Sequence, residues 1–248
     1  MSRYRLAVFA QPAAGRVLFV RRAGLLVLAV VLLLAALVEA LVIAPTEAEM
    51  GDLQRIFYFH VASAWAAFLA FFVVFLASVA YLRTRAVLWD VFAASAAETG
   101  VVFVSMALVS GSIWARSTWG TWWTWDPRLT TTLLLWLIYV SYLVMRGMVE
   151  EGQRRATFAA VFGIVGFVDA PIAFMSIRWW RTMHPTVLTG GGFNMEPAML
   201  PALFLSLAAF SFILLYLLLL RAGLERSQQE VTELRRHISW MDERGSWP

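Results

Sequence analysis

Six long apolar stretches, separated by short polar segments, dominate the pattern of hydrophobic and polar positions. They cover approximately residues 24–44, 61–82, 91–114, 129–145, 156–177 and 198–220. An α-helix needs about 20 predominantly apolar residues to cross the hydrocarbon core of a bilayer. The pattern therefore predicts an all-α polytopic membrane protein with six transmembrane helices, spans one to six, in a single domain over residues 1–248.

Composition supports this class and excludes several kinds of chemistry. The chain is 61% hydrophobic and 15% charged, which is typical of helical membrane proteins. It contains no cysteine, so disulfides, thiolate ligation of a metal and covalent heme capture by a cysteine pair are excluded. The first apolar stretch is too long for the core of a signal peptide, so we expect no removable signal sequence.

The arginines predict the orientation in the membrane. All 20 basic residues are arginine; 15 lie in the amino-terminal segment, the 83–90 and 146–155 loops and the tail 221–248, and 5 lie in the other loops. The positive-inside rule therefore predicts that both termini are cytoplasmic and that the other loops lie on the outer face of the membrane. Because the positive charge follows this asymmetry, it predicts contact with membrane lipid and no nucleic-acid partner.

The cytoplasmic tail 221–248 has a helical pattern of its own. Leu224, Val231, Leu234 and Ile238 share one helical face among charged residues. This pattern is typical of an amphipathic helix on the inner leaflet or against a partner. A simple extension of span six is the alternative.

Tryptophan is concentrated on the predicted outer side. Loop 115–128, between spans three and four, contains Trp119-Gly-Thr-Trp122-Trp123-Thr-Trp125-Asp126-Pro-Arg128. Seven of the 12 tryptophans lie on the outer side and three on the inner side, whereas an aromatic belt would enrich both interfaces. Flat apolar ligands stack on indole rings, so the asymmetry favours a site for a planar cofactor such as heme.

Two histidines accompany the tryptophans on that side. His60 ends the aromatic run at the start of span two, and His184 follows span five. Pro185 disfavours helical geometry at His184, which is therefore expected in a loop. A lone histidine there would most simply be an interfacial hydrogen-bonding group. Two histidines on the same side predict the axial ligands of a heme iron. Within the predicted span boundaries, no histidine lies inside a span.

Charged residues supply further candidates. Asp126 precedes a proline and is expected to cap the helix of span four. Guanidinium groups pair with carboxylates, so the outer arginines are candidates to hold heme propionates: Arg116, Arg128, Arg178 and Arg181. Glu98 and Asp169 lie within spans, where acids are costly unless paired. Asp169 is near Pro171 and either bonds the freed backbone or has a coupling role.

The motif Trp119-Gly-Thr-Trp-Trp-Thr-Trp-Asp126-Pro-Arg-Leu-Thr130 resembles the WWD motif of heme-handling proteins. Together with Phe57-Tyr-Phe-His60 and Trp179-Trp-Arg-Thr-Met-His184, it is similar to the heme exporter C family of bacterial system I cytochrome c maturation. The resemblance implies a protein that is not an enzyme and that holds heme b (iron protoporphyrin IX) at the periplasmic face. His60 and His184 would be the axial ligands, and the tryptophan-rich loop the platform: Trp119, Trp122, Trp123, Trp125 and Asp126, with Arg128, Arg178 and Arg181 near the propionates.

The resemblance also implies partners. These are a membrane-anchored periplasmic heme chaperone, an ABC ATPase subunit, a second integral membrane subunit and a small single-span subunit. Larger relatives with this motif act as synthases and carry histidines within their spans, so one heme is expected here.

Two other classes of function stay open. A bis-histidine electron-transfer subunit would usually hold its heme between helices inside the bundle. An ABC permease would need a cytoplasmic coupling helix, and the inner loops, at most about ten residues long, offer none.

Overall fold

The computed structural model describes residues 12–150 and 152–243. This part of the chain forms seven α-helices and one short hairpin. The elements are α1 Pro12–Val38, α2 Arg55–Thr84, α3 Val87–Trp119, α4 Pro127–Met148, α5 Gln153–Phe167, α6 Asp169–Trp179, β1 Leu188–Thr189, β2 Gly192–Phe193 and α7 Leu200–Glu243. A π-helical turn, Glu39–Ile43, extends α1, and 3-10 turns precede α2 (Asp52–Gln54) and α7 (Pro197–Met199).

The six predicted spans correspond one to one with helical segments that are long and apolar enough to cross a membrane. These segments are Arg22–Ile43, Asp52–Thr84, Val87–Trp119, Pro127–Met148, Gln153–Trp179 and Pro197–Glu225. The predicted all-α membrane fold with six spanning helices is confirmed. Most segments are longer than predicted, because helical geometry continues into the flanking aromatic and polar residues.

Helices α2 and α3 form the centre of the bundle. They are antiparallel, and α2 ends at Arg85, whose φ of 58° places it in the left-handed region. Small buried residues line their contact, including Ala62, Ala66 and Ala97. Such residues let membrane helices approach closely. Helices α4, α5 and α7 pack around this pair, and α1 packs mainly against α7.

Charged groups within the bundle are mostly paired. Arg146 donates from both terminal nitrogens to the buried carboxylate of Asp90, at 2.6 and 3.0 Å. Arg221 donates from two nitrogens to Glu98, at 2.9 Å from its Nη2 atom. Glu98 therefore has the partner that an acid at membrane depth needs.

Span five is interrupted at Val168, between α5 and α6. Asp169 is the first residue of α6 and is buried. Its Oδ2 atom has no hydrogen-bond partner among the residues that the structure describes. Of the two alternatives for Asp169, the bond to backbone freed by Pro171 is not formed by this oxygen.

The tail forms one helix with span six. Helix α7 runs without a break from Leu200 to Glu243, as the extension alternative predicted. Leu224, Val231, Leu234 and Ile238 are exposed along it. Predictions about residues 1–11 and 244–248 lie outside the described residues.

Candidate heme site at one end of the bundle

Three connecting segments meet at one end of the helix bundle. They are 44–54, the loop 120–126 and the loop 180–199. Both tryptophan-rich regions and both candidate histidines lie at this end, because successive spans alternate in direction. The loop after α3 is shorter than the predicted 115–128, because α3 continues through Trp119 and ends at Gly120 with a φ of 75°. A left-handed glycine is a common way to end a helix.

A cavity opens between the loops 120–126 and 180–199 and descends between α2, α3 and α4. The histidine, tryptophan and arginine residues that line it are His60, His184, Trp114, Trp119, Trp123 and Arg128. Most other lining groups are apolar and lie one or two turns deeper, such as Phe68, Val104 and Leu135.

The two histidines both line this cavity, and the distance between their rings suits a shared metal. Their ring centroids are 6.3 Å apart, and the ring planes are inclined by 37°. A metal–imidazole bond is about 2 Å long, so two rings on opposite sides of one metal have centroids about 6 Å apart. The observed separation matches that value.

His60 lies on the second turn of α2. The prediction that no histidine lies within a span is wrong for His60, because the spanning segment begins at Asp52. The apolar run before His60 is already helical, because α2 begins at Arg55. Its Nδ1 atom is 3.2 Å from the hydroxyl of Ser110 on α3, a partner that the sequence did not indicate.

Gly111 makes room for the His60 ring. A Cβ atom at this position would lie 2.8 Å from Cε1 of His60. That distance is well inside van der Waals contact, so a larger residue would displace the imidazole. The small polar run from Ser110 to Ser112 near the outer end of an apolar helix was the available sequence signal.

His184 lies in the loop after α6, as predicted. Its Nδ1 atom is 3.3 Å from the carbonyl oxygen of Pro185. A carbonyl only accepts hydrogen bonds, so Nδ1 carries the hydrogen and Nε2 of the neutral ring keeps its lone pair. Burial, assisted by the positive charge of Arg128, lowers the pKa of His184 to about 4. The ring is therefore neutral at physiological pH, which is the form that binds metals.

Asp126 connects the two loops. Its Oδ1 atom accepts a hydrogen bond from the backbone N–H of Arg128 at 2.9 Å, and Pro127 occupies the first helical position. The predicted N-cap is confirmed. Its Oδ2 atom accepts a second hydrogen bond, from the backbone N–H of Met183 at 2.9 Å. The residue before His184 is thereby attached to the tryptophan loop.

The candidate arginines occupy different positions. Arg128 lines the cavity, donates to the carbonyl of Ala173 at 2.5 Å and lies 5.9 Å from the ring centroid of Phe68. Arg178 and Arg181 are exposed and do not line the cavity. Arg116 donates to the carbonyl of Gly120 at the end of α3. The structure thus brings Arg128 to the histidines and leaves the other three at the surface.

The tryptophans likewise fall into one group that lines the cavity and another that is exposed at the surface. Trp114, Trp119 and Trp123 line the cavity, whereas Trp122 and Trp125 are 58% and 76% exposed. The indole N–H groups of Trp114 and Trp123 are buried and have no hydrogen-bond partner among the described residues. Unpartnered buried donors beside a cavity suit a ligand that carries acceptor atoms. Trp179 and Trp180 are exposed next to each other.

The donor set suits heme better than a bare metal ion. In the part of the chain that the structure describes, no three side chains of His, Cys, Asp or Glu converge on one point. Two imidazoles alone would leave most metal ions short of ligands, whereas a porphyrin supplies the remaining four nitrogens.

These features define a multi-pass membrane protein with a tryptophan-lined pocket between two histidines at one end of the bundle. The chain belongs to the Heme exporter protein C family, whose sequence profile it matches over residues 6–241.

Individual relatives agree with this assignment. Heme exporter protein C of Bradyrhizobium diazoefficiens is 36% identical over 197 residues, which is 78% of this chain and 75% of the relative. A putative cytochrome c biosynthesis ccmC-like mitochondrial protein of Marchantia polymorpha is 34% identical, over 69% of this chain and 73% of the relative. Heme exporter protein C of Escherichia coli K12 is 32% identical, over 69% of each chain.

Proposed function

We propose that this protein binds heme b at the periplasmic face of the bacterial inner membrane and passes it on for maturation of c-type cytochromes. The observation that carries the proposal is the facing pair His60 and His184, with ring centroids 6.3 Å apart across a tryptophan-lined cavity. The names of the relatives, which refer to heme export and cytochrome c biosynthesis, support the same function.

Each lining residue has a distinct task in this proposal. His60 and His184 bind the iron from opposite sides, and the porphyrin supplies its four other ligands. Trp119 and Trp123, with Trp114 beneath them, cover the apolar macrocycle by area and offset aromatic contact. Arg128 provides the positive charge for a propionate. Asp126 acts indirectly by holding the loop of His184 against the tryptophan loop.

The exposed aromatic and basic residues form a rim around the site. Here the outer rim means Trp122, Trp125, Trp179 and Trp180 together with Arg178 and Arg181. Exposed tryptophan and arginine are enriched where proteins associate. The outer rim is therefore the proposed docking surface for a periplasmic heme chaperone, which takes up the heme.

The complete system requires other proteins. Family membership supports association with an ABC ATPase, a second integral membrane subunit and a small single-span subunit. This chain contributes the heme-holding site and no catalytic step of its own. Its orientation, with both termini in the cytoplasm, follows from the arginine distribution.

The absorption spectrum of the purified protein tests the proposal. Wild-type protein loaded with heme is expected to give a low-spin spectrum, and His60→Ala or His184→Ala to change it or to lose the heme. His237→Ala, in the third histidine of the chain, is the matched control and is expected to behave as wild type. Unchanged spectra for both ligand variants would refute axial ligation by this pair.

An electron-transfer subunit with a bis-histidine heme is the second candidate. It is favoured by the position of His60 on α2 within a spanning segment, since such subunits carry ligands on helices. Reduction of the bound heme by a quinol at a rate relevant to turnover would support this candidate. A slow reaction combined with heme transfer to the chaperone would support delivery.

A further inference from the structure

The hydroxyl of Ser110 has a defined direction. Its Oγ atom is 2.6 Å from the carbonyl oxygen of Met106 and 3.3 Å from that of Ala107. It is also 3.2 Å from Nδ1 of His60. A hydroxyl has one hydrogen, and a carbonyl oxygen can only accept. The hydrogen of Ser110 is therefore directed at the helix backbone, and an oxygen lone pair faces the imidazole.

This arrangement determines which nitrogen of His60 carries its hydrogen. Because the oxygen lone pair can only accept, Nδ1 of His60 is the donor. The neutral ring then has its free lone pair on Nε2. The tautomer of His60 follows because the single hydroxyl hydrogen of Ser110 is already directed at the carbonyl oxygens of Met106 and Ala107.

We propose that Ser110 is a positioning residue that fixes the tautomer and the orientation of His60, so that Nε2 is the iron-binding atom. The inference rests on the proposed heme site and identifies a residue outside its ligand set. Metal-bound histidines generally donate their second N–H to a fixed acceptor, which orients the ring and makes it a stronger ligand. Ser110 supplies that acceptor from α3, beside the backbone carbonyl of Ala107, which is also within hydrogen-bonding reach of the His60 ring.

The neighbouring residues on α3 restrict the ring further. Gly111 leaves space for Cε1 of His60, since a Cβ atom there would lie 2.8 Å from it. The ring centroid of Trp114 is 6.0 Å from that of His60. Helix α3 thus supplies a hydrogen-bond acceptor, a gap and an aromatic neighbour within about one turn.

His184 has an equivalent arrangement on the other side of the cavity. Its Nδ1–H donates to the carbonyl oxygen of Pro185 at 3.3 Å. Both rings therefore keep their lone pair on Nε2, although one acceptor is a hydroxyl on a helix and the other is a loop carbonyl. In each ring the Nε2 lone pair is therefore available for a bond to iron before heme enters.

The experiment compares Ser110→Ala with Ser110→Thr in the full-length membrane protein. Ser110→Ala removes the hydroxyl acceptor and leaves only the carbonyl of Ala107 near the ring, whereas Ser110→Thr retains a hydroxyl that can bond the carbonyl of Met106. The matched control is Ser117→Ala, because Ser117 lies two turns along α3 and donates to the carbonyl of Ile113. The measurements are the rate of heme dissociation, the heme reduction potential and the amount of folded protein.

Ser110→Ala is expected to release heme about 10-fold faster, the lower end of the usual effect of losing such a partner. Its reduction potential should rise, because a ring without the Nδ1–H bond donates less electron density to ferric iron. Ser110→Thr should restore both values, and Ser117→Ala should leave them unchanged. Nitrogen NMR of labelled histidines in the heme-free protein should show the Nδ1–H tautomer of His60 in wild type and a mixture in Ser110→Ala.

The outcomes separate this inference from the proposed function. Wild-type protein that binds no heme would overturn both. If His60→Ala loses heme but Ser110→Ala keeps the wild-type potential, dissociation rate and tautomer, the positioning role is overturned and the heme site stands. A loss of folded protein in Ser110→Ala without a change in tautomer or potential would assign Ser110 a purely structural role and also overturn the inference.

Discussion

The side chain of Asp126 joins the two loops of the candidate site through the backbone of Met183. The distance from Asp126 Oδ2 to Met183 N is 2.9 Å, while Oδ1 caps helix α4. Met183 immediately precedes His184, so the position of this histidine depends on a residue of the tryptophan loop. One carboxylate therefore connects the aromatic surface to one of the two proposed iron ligands.

Replacing Asp126 should weaken heme binding through His184. Asp126→Ala removes both hydrogen bonds, and loss of the cap alone costs about 1 kcal/mol of stability. Loss of the hydrogen bond from the Met183 backbone to this charged acceptor lowers the stability by about 1.5 to 3 kcal/mol more. Asp126→Asn keeps a single oxygen and should show an intermediate effect.

The measurement is a heme titration alongside thermal unfolding of each Asp126 variant. Glu49→Ala is a suitable control, since it removes an acid from another loop at the same end. Wild-type heme affinity in Asp126→Ala would show that the connection to Met183 does not position His184.

Gly111→Ala should disturb the site by steric overlap. The added methyl group would lie 2.8 Å from Cε1 of His60, and such overpacking costs about 1 to 3 kcal/mol. We expect weaker heme binding and loss of low-spin character, since the ring is displaced from the iron. The absorption spectrum and a heme titration measure both effects.

Gly147→Ala provides the comparison for Gly111. It is also a helical glycine, on α4, but a Cβ atom there would meet nothing within 4 Å. Equal heme affinity in the two variants would contradict the role of Gly111.

Trp123 and Trp125 should have different functions although they belong to one motif. Trp123 lines the cavity, whereas Trp125 is 76% exposed. Trp123→Ala is expected to lower heme retention. Trp125→Ala should retain heme and weaken association with the chaperone, because it removes part of the outer rim. Heme content after purification and co-purification of the chaperone are the two measurements, and the reverse pattern would reject this division.

The sequence was sufficient to predict the six spans, the position of His60 and His184 at the same end of the bundle, and the N-cap at Asp126. Hydrophobic length determines where a chain can cross a bilayer, so the six spans follow from local composition. The cap at Asp126 depends only on the adjacent Pro127 and Arg128 and was equally predictable. The prediction from the sequence ended the third span at residue 114, which is too early. No residue in the tryptophan run stops the helix before Gly120.

Contacts between distant segments were beyond such reasoning. The hydrogen bond from His60 to Ser110 joins residues 50 positions apart, and that from Met183 to Asp126 joins residues 57 positions apart. Both depend on how α2, α3 and the outer loops pack. For the same reason the sequence could not separate Arg128, which lines the cavity, from Arg178 at the surface.

Arg128→Gln should reduce heme affinity while leaving the spectrum of the remaining bound heme bis-histidine. Losing a charge-assisted bond to a propionate costs about 1 to 3 kcal/mol. Arg128→Lys should recover part of this loss, since an ammonium keeps the charge but not the planar fork. Arg178→Gln, at an exposed position outside the cavity, is the matched control.

Heme with esterified propionates provides an independent test of Arg128. Wild-type protein is expected to bind the ester more weakly than the acid, and Arg128→Gln should bind both alike. If wild type binds the ester as tightly as the acid, Arg128 does not hold a propionate, and its bond to Ala173 is its main role.

The orientation of the bundle predicts which engineered thiols are accessible from outside. The chain has no cysteine, so single cysteines at Thr121, Thr189 and Gln228 can be labelled without background. Thr121 and Thr189 lie in the loops of the heme site, and Gln228 is exposed on α7 beyond span six. An impermeant thiol reagent, applied to cells whose outer membrane has been removed, should label the first two and spare Gln228→Cys until the inner membrane is lysed. Labelling of Gln228→Cys in intact cells, with protection of the other two, would place the tryptophan loops in the cytoplasm. The site could not then deliver heme to a periplasmic chaperone.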